Sequence, residues 1–219
     1  MVSGKINRVA IFANGDYDNP QFYCEELEKS DYIIAVDGGA NFLYKVDETP
    51  DLLLGDMDSI TAEAYQYYSR LDIPIKHHPA EKDESDLELA LVTGINLKPK
   101  EIFVYGAFGN RVDHLFANIM VMLNPIKNGI YTCLKDTCHE ITITDSKLTL
   151  IGNPGDYLSL FALTQEVSGI YAHGVKYPLE NDSLTMGPSR GLSNEFITEQ
   201  VDIAIKTGYL LAIKVNTKF

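Results

Sequence analysis

Residues 52–60 read Leu52-Leu53-Leu54-Gly55-Asp56-Met57-Asp58-Ser59-Ile60. An apolar run stops at a glycine, and a pair of carboxylates follows, one residue between them, before a helical pattern opens at Thr61. A short continuous apolar run suits a strand buried on both faces, as in a parallel sheet. Open α/β sheets bind their ligands outside the carboxyl ends of such strands. Asp56 and Asp58 are hard oxygen donors at that position. The Mg²⁺ of a polyphosphate is held by one or two such carboxylates together with phosphate oxygens and water. The same residues also fit a plain strand-to-helix turn, with Asp58 or Ser59 capping the next helix.

Upstream, the pattern repeats. Arg8-Val9-Ala10-Ile11-Phe12-Ala13 is a short apolar run ended by the turn residues Asn14-Gly15-Asp16. Pro20 is placed to open a helix through Glu25, Glu26 and Leu27, since proline is tolerated at the first helical position. Tyr32 to Val36 is a β-branched run that ends in Asp37-Gly38-Gly39-Ala40-Asn41. Paired glycines let backbone N–H groups approach a ligand, and a following helix amino terminus favours anions.

Downstream, Thr61 to Leu71 carries Tyr65, Tyr68 and Leu71 on one helical stripe, which reads as core packing. Pro74 to His77 is a fourth, shorter strand; His77 and His78 are adjacent and would face opposite sides of it, which argues against joint metal ligation. Ser85 followed by Glu88 has the spacing of a capping box, which puts Asp86 in the first turn of a helix. Lys82, in the acidic loop before it, is suited to approach a phosphate. Glu101 to Tyr105 is the fifth strand, followed by Gly106-Ala107-Phe108-Gly109-Asn110-Arg111-Val112-Asp113-His114 and a helix around Leu115 to Leu123. Arg111 can fork onto phosphate oxygens. Asp113 can ligate a metal, accept a proton, or pair locally with Arg111. Strands alternating with helices predict a parallel sheet with right-handed crossovers, its chemical loops meeting along one edge. Neither a P-loop nor a Gly-x-Gly-x-x-Gly stretch occurs.

After Asn124-Pro125 the pattern turns β-rich. Runs at 141–144, 148–151, 157–161, 169–173, 183–186, 196–205 and 210–215 predict an antiparallel, sandwich-like domain. The expected organisation is therefore an α/β domain over residues 1–126 and a β-rich domain over 127–219. The polar stretch Gly187-Pro188-Ser189-Arg190-Gly191-Leu192-Ser193-Asn194-Glu195 reads as a long turn on composition.

The 219 residues carry 18 Lys+Arg against 31 Asp+Glu, a formal net charge of −13. That balance disfavours non-specific nucleic-acid binding, while an anionic nucleotide would come with a metal ion as intermediary. Three cysteines, Cys24, Cys133 and Cys138, read as reduced thiols; beside Cys133, Cys138 and His139 no second Cys/His pair completes a zinc set. No run reaches the length of a membrane span. The opening Met1-Val2-Ser3-Gly4-Lys5 lacks the apolar core of a signal peptide, so a cytoplasmic protein is expected.

The ordered set Asp37-Gly38-Gly39-Ala40-Asn41, Gly55-Asp56-Met57-Asp58-Ser59-Ile60, Lys82-Asp83-Glu84-Ser85-Asp86, Gly109-Asn110-Arg111-Val112-Asp113-His114 and Gly191-Leu192-Ser193-Asn194-Glu195 resembles the thiamin pyrophosphokinase family. The resemblance implies an ATP-binding α/β domain, a β-rich domain, and a homodimer that holds thiamin between subunits. It implies pyrophosphoryl transfer from ATP to the thiamin hydroxyl, giving thiamin diphosphate and AMP. Carried over by motif, Asp56, Asp58, Asp86 and Asp113 would hold Mg²⁺, and Arg111 and Lys82 would face phosphates. Asp37, Gly38, Gly39 and Asn41 would lie at the nucleotide, and Ser193 and Asn194 at thiamin. Ser85 stands where the family often has threonine, and Asn110 where it often has a second glycine; asparagine tolerates the left-handed conformation such a glycine would adopt. Two other readings of the same residues are a metal-dependent nucleotide phosphohydrolase and a non-enzymatic sensor of a nucleotide or thiamin.

Overall fold

The computed structural model describes residues 5–79 and 81–217, so the reading of residues 1–4 lies outside the described residues. The chain divides into two compact units, the first ending at Thr137 and the second starting at Cys138.

The first unit alternates strands and helices. Its elements are β1 (Arg8–Phe12), α1 (Pro20–Leu27), β2 (Tyr32–Val36), α2 (Gly39–Lys45), β3 (Leu52–Gly55), α3 (Ala62–Arg70), β4 (Ile75–His77), α4 (Asp86–Asn96), β5 (Glu101–Tyr105), α5 (Val112–Val121), α6 (Leu123–Lys127) and β6 (Tyr131–Lys135). The strands pair in parallel in the order β6-β5-β1-β2-β3-β4. The order reverses between β1 and β5, which creates the crevice where such sheets bind ligands. Val9 to Phe12 and Leu53 and Leu54 are completely buried, as continuous apolar strands covered on both faces must be.

Local chemistry sets the helix starts. Pro20 opens α1 behind Asn19, whose side chain accepts from Gln21 N. Thr61 caps α3 by accepting from Ala64 N, so neither Asp58 nor Ser59 has that duty. Ser85 caps α4 by accepting from Glu88 N at 3.2 Å, with Asp86 as the first helical residue. Tyr68 is fully buried and donates to Glu48 O at 2.9 Å, in keeping with a packing stripe.

An ionic knot lies under α1. Glu26 is buried and accepts from Arg8, from Tyr105 Oη at 2.6 Å and from Lys29 Nζ at 2.9 Å, with Lys135 Nζ at 3.4 Å. It ties α1 to β1, β5 and β6. Burial alone would raise the Glu26 pKa; the Tyr105 hydroxyl and the three cations reverse that and hold it down at about 2. Arg8 also lies 3.8 Å over the Phe103 ring.

The unit extends past the 126/127 boundary expected from sequence. Pro125 does not end the helical pattern, because it occupies the first turn of α6, where a missing N–H is tolerated. The next apolar residues form β6, which pairs in parallel with β5 and so completes the α/β sheet.

The second unit is antiparallel throughout. It contains β7 (His139–Thr144), β8 (Lys147–Ile151), β9 (Tyr157–Ala162), β10 (Glu166–His173), β11 (Leu179–Thr185), β12 (Asn194–Glu195), β13 (Gln200–Ala204) and β14 (Leu210–Val215). They form the ladders β7-β14-β9-β12 and β8-β13-β10-β11. The single strand expected over 196–205 is interrupted because Phe196 N donates to Asp156 O and Ile197 N to Gly174 O, which turns the chain away before β13. Among the described residues no helix is long and apolar enough to cross a membrane.

Candidate functional site

The loops after β1, β2, β3 and β5, with the start of α4, enclose a cavity of about 540 Å³ at the carboxyl ends of the parallel strands. Its wall carries Asp37, Asp56, Asp58, Ser85, Asp86 and Arg111, together with Asn14, Asp16, His114 and Asn118. Acids from separate segments of the chain thus meet one arginine.

The floor is built by interlocked turns. Asp37 and Met57 take left-handed backbone, with φ of 44° and 68°. Asp37 N donates to Leu54 O at 3.0 Å, and Asp37 Oδ1 accepts from Met57 N at 3.1 Å. Left-handed non-glycine residues cost energy and persist where the surroundings hold them, often at functional sites. Asp56 Oδ1 accepts from Asp58 N at 3.0 Å, which turns the acid pair into the opening, and Asp58 Oδ1 accepts from Ser59 Oγ at 2.6 Å. Asp37 is pushed up to about 6. Burial is the main cause, and the charges of Asp86, Asp56 and Asp58 add to it against the pull of the Met57 N–H.

Lys82 does not line the cavity. Its ammonium donates to Asp86 Oδ1 at 2.7 Å and to Pro79 O at 3.0 Å, fixing Asp86 from behind. Asn41 is likewise spent on the scaffold: its amide donates to Ser59 O and accepts from Thr61 N. Gly39 lies in the first turn of α2, where a Cβ would stand 2.0 Å from Phe12 O, so its glycine serves close packing. Gly38 and Asn41 line a second cavity of about 500 Å³ with Tyr17, Phe42 and Lys45; Asn14, Gly15 and Asp16 line both cavities. The Tyr17 and Phe42 rings stack there with centroids 4.1 Å apart and planes 6° from parallel.

Arg111 and Asp113 form a two-pronged ion pair, Nε to Oδ1 at 3.1 Å and Nη2 to Oδ2 at 2.5 Å. Arg111 lines the cavity, whereas Asp113 is not part of its wall. The hydrogen bonds from Arg111 hold the Asp113 carboxyl down at about 2. Asn110 keeps a negative φ, so it needs no left-handed tolerance. At Gly109 a Cβ would meet nothing within 4 Å, so the fold itself leaves room there.

In the second unit, Ser193 takes φ 57° and is exposed, its N–H donating to Ser159 Oγ at 3.1 Å. Asn194 is buried; its Oδ1 accepts from Tyr177 N at 3.0 Å and its Nδ2 donates to Tyr177 O at 2.8 Å. Its amide therefore shapes the loop, and the hydroxyl of Ser193 is the group presented outward.

Asn14, Asp16, His114 and Asn118 are wall residues to which the sequence alone assigns no role. Asn14-Gly15-Asp16 carries a usable signal, since it ends a strand as the acidic motifs do; His114 and Asn118 follow only from the rotation of α5. Among the described residues no three His, Cys, Asp or Glu side chains form a group that could hold a metal ion. The wall acids nevertheless fit Mg²⁺ arriving with a polyphosphate, which needs one or two carboxylates, and the charges of Asp86, Asp56 and Asp58, which add to the effect of burial on Asp37, are ones a cation would offset.

Residues 23–134 match the family described as thiamin pyrophosphokinase, catalytic domain, and residues 134–210 match thiamin pyrophosphokinase, vitamin B1 binding domain. A thiamine pyrophosphokinase of Bacillus subtilis (strain 168) is 28% identical over 191 residues, covering 83% of this chain and 86% of that protein. The crystal structure of thiamine pyrophosphokinase from Bacillus subtilis superposes with a TM-score of 0.85 at 25% identity, covering 96% of this chain and 99% of that one. That of thiamin pyrophosphokinase from Geobacillus thermodenitrificans gives 0.81 at 27% identity, covering 96% and 98%.

Proposed function

This chain belongs to the thiamin pyrophosphokinase family, and we propose on that basis that it transfers the pyrophosphoryl group of ATP to the hydroxyl of thiamin, releasing AMP. The observation that carries the reading is the cavity at the β1/β5 switch point, where Asp56, Asp58 and Asp86 face Arg111. Such a wall suits a metal-bound polyphosphate better than a neutral ligand.

In the reaction the thiamin oxygen attacks the β-phosphorus in line. The bond from that phosphorus to the oxygen bridging to the α-phosphate breaks, and the hydroxyl proton is lost to a base or to water. Transfers of this kind depend mostly on positioning and charge neutralisation. Asp56, Asp58 and Asp86 would hold Mg²⁺, which when bound offsets the triphosphate charge in an acidic protein. Lys82 keeps Asp86 in place through its 2.7 Å contact. Arg111 meets charge on the transferring group. Asp37 and Ser85, from the acidic cavity, and Gly38 and Asn41, from the second one, form the surroundings of the nucleotide, with Gly39 allowing the close packing of α2 on Phe12 O beside them. Ser193 contributes its hydroxyl to the thiamin pocket, with Asn194 fixing the loop, and the active sites are shared across a homodimer. A cytoplasmic location belongs to the same reading, in keeping with cysteines read as reduced thiols.

Incubation with ATP, Mg²⁺ and thiamin tests it. AMP formed one-for-one with thiamin diphosphate is the expected result. ADP with thiamin monophosphate would change the reaction to single phosphoryl transfer. Thiamin-independent breakdown of ATP would make the protein a hydrolase, and saturable binding without turnover a sensor.

A further inference from the structure

Asp113 and Arg111 leave a specific question, because the resemblance puts both in the reaction centre while only Arg111 reaches the cavity wall. Both oxygens of Asp113 are engaged by the guanidinium, Oδ1 by Nε and Oδ2 by Nη2. A metal ion at this carboxylate would have to displace two charge-assisted hydrogen bonds and sit against a fixed positive charge, which is electrostatically unfavourable. The pair also adds little to the fold, since the side chains are 68% and 64% exposed and exposed ion pairs contribute little to stability. Arg111 is the residue before the first turn of α5, with extended backbone (φ −95°, ψ 96°) and no capping hydrogen bond from its side chain. Among the described residues, Asp113 is the one carboxylate paired with this guanidinium. A bidentate carboxylate fixes both the plane and the direction of an arginine, and leaves the remaining N–H donors for another anion.

We propose that Asp113 is a positioning residue for Arg111, holding its guanidinium in the cavity wall ready to fork onto the phosphates of the nucleotide, and that it is not a ligand of the metal. The inference rests on the pyrophosphokinase reading for the identity of the anion, but the calorimetric part of its test does not need turnover. The open space at Gly109, two residues ahead of Arg111, is consistent with an anion approaching the backbone there.

The experiment is a double-mutant cycle of Arg111→Ala and Asp113→Ala, with Asp113→Asn and Asp113→Glu as conservative variants, on the full chain. Inorganic tripolyphosphate binding is measured by calorimetry in the absence of divalent metal, and the Mg²⁺ concentration for half-maximal turnover is measured separately. Each single alanine variant is expected to weaken tripolyphosphate about tenfold, and the double variant no further, as coupled neighbours behave. Asp113→Glu retains a bidentate carboxylate and should restore part of the affinity, and Asp113→Asn should not. The Mg²⁺ requirement should stay at its original value in Asp113→Asn. Additive losses would overturn the proposal by showing that the two residues act independently, and a Mg²⁺ requirement raised about tenfold or more in Asp113→Asn alone would overturn it in favour of metal ligation. Unchanged tripolyphosphate affinity in Asp113→Ala would overturn it too. If thiamin proves not to be the acceptor, the pyrophosphokinase reading fails, while the calorimetric cycle still decides whether Asp113 positions Arg111.

Discussion

The carboxylate of Asp37 occupies the space that a side chain at Gly55 would need: a Cβ there would lie 1.8 Å from Asp37 Oδ1. Gly55 also has φ +141°, a conformation open essentially to glycine alone. The ends of β2 and β3 are therefore one structure, closed by the bond from Met57 N to Asp37. Gly55→Ala should lower stability by more than about 2 kcal/mol, since it meets both the backbone and the steric penalty. Urea unfolding checks this; a loss under about half a kcal/mol, the size of an ordinary surface substitution, would mean the two turns relax independently.

Asp58 lies on the exposed side of the same turn, where its carboxylate accepts from Ser59 Oγ. Asp58→Asn is expected to leave the melting temperature unchanged or slightly higher and to reduce kcat by about 10²-fold or more, in line with removal of a main electrostatic group from a reaction centre. Near-normal turnover with thiamin and ATP would take Asp58 out of the metal set.

Glu26 sets an acid limit on stability. Its folded pKa, held at about 2, lies below the ordinary value of 4.5, so the folded state binds this proton less readily. Its contribution is complete above about pH 4.5 and is lost as pH falls towards 2. The carboxylate is nearly fully buried, and its loss amounts to about 3 kcal/mol at most. Glu26→Gln should flatten the fall in Tm across the acid range below about pH 4.5 while lowering Tm at neutral pH, where Arg8, Lys29 and Lys135 lose their counter-charge. An acid limb as steep in the variant as in the parent would assign the sensitivity to other carboxylates.

Ser193 and Asn194 should separate in their effects. Ser193→Ala removes an exposed hydroxyl, and the KM for thiamin should rise about twofold to tenfold while that for ATP stays put, as for one neutral hydrogen bond. Asn194→Ala leaves Tyr177 N and O unpaired in a part-buried loop and should cost about 1–3 kcal/mol of stability. Steady-state kinetics and thermal melts on the pair decide the assignment; a Ser193→Ala effect on ATP instead of thiamin would remove this loop from the thiamin pocket.

The parallel half is largely legible in the sequence because its strands are buried on both faces. Continuous runs such as Tyr32 to Val36 and Glu101 to Tyr105 carry their own boundaries in the turn residues that follow. β6 escapes such a reading for the opposite reason. Tyr131-Thr132-Cys133-Leu134 mixes polar and apolar side chains and follows a proline that looks like a stop, yet its Thr132 is fully buried beside β5. At the site, strand ends bring Asp37, Asp56, Asp58 and Arg111 together by topology alone, whereas Asp86, in the first turn of α4 and well past the end of β4, is pointed to by the family resemblance. Which side of α5 Asp113 would face, and that Lys82 and Asn41 would brace neighbours instead of lining the acidic cavity, depend on side-chain rotation and pairing, which spacing does not encode.

The stacked rings of Tyr17 and Phe42 have a practical use. The chain holds 13 tyrosines and no tryptophan, so its intrinsic emission is phenolic. A tryptophan substituted for Phe42 would be the sole indole in the molecule, seated in the wall of the second cavity and fed by energy transfer from Tyr17 at stacking distance. Its colour and brightness would register what enters that cavity during turnover, one reporter emitting to the red of the tyrosines, with no label attached.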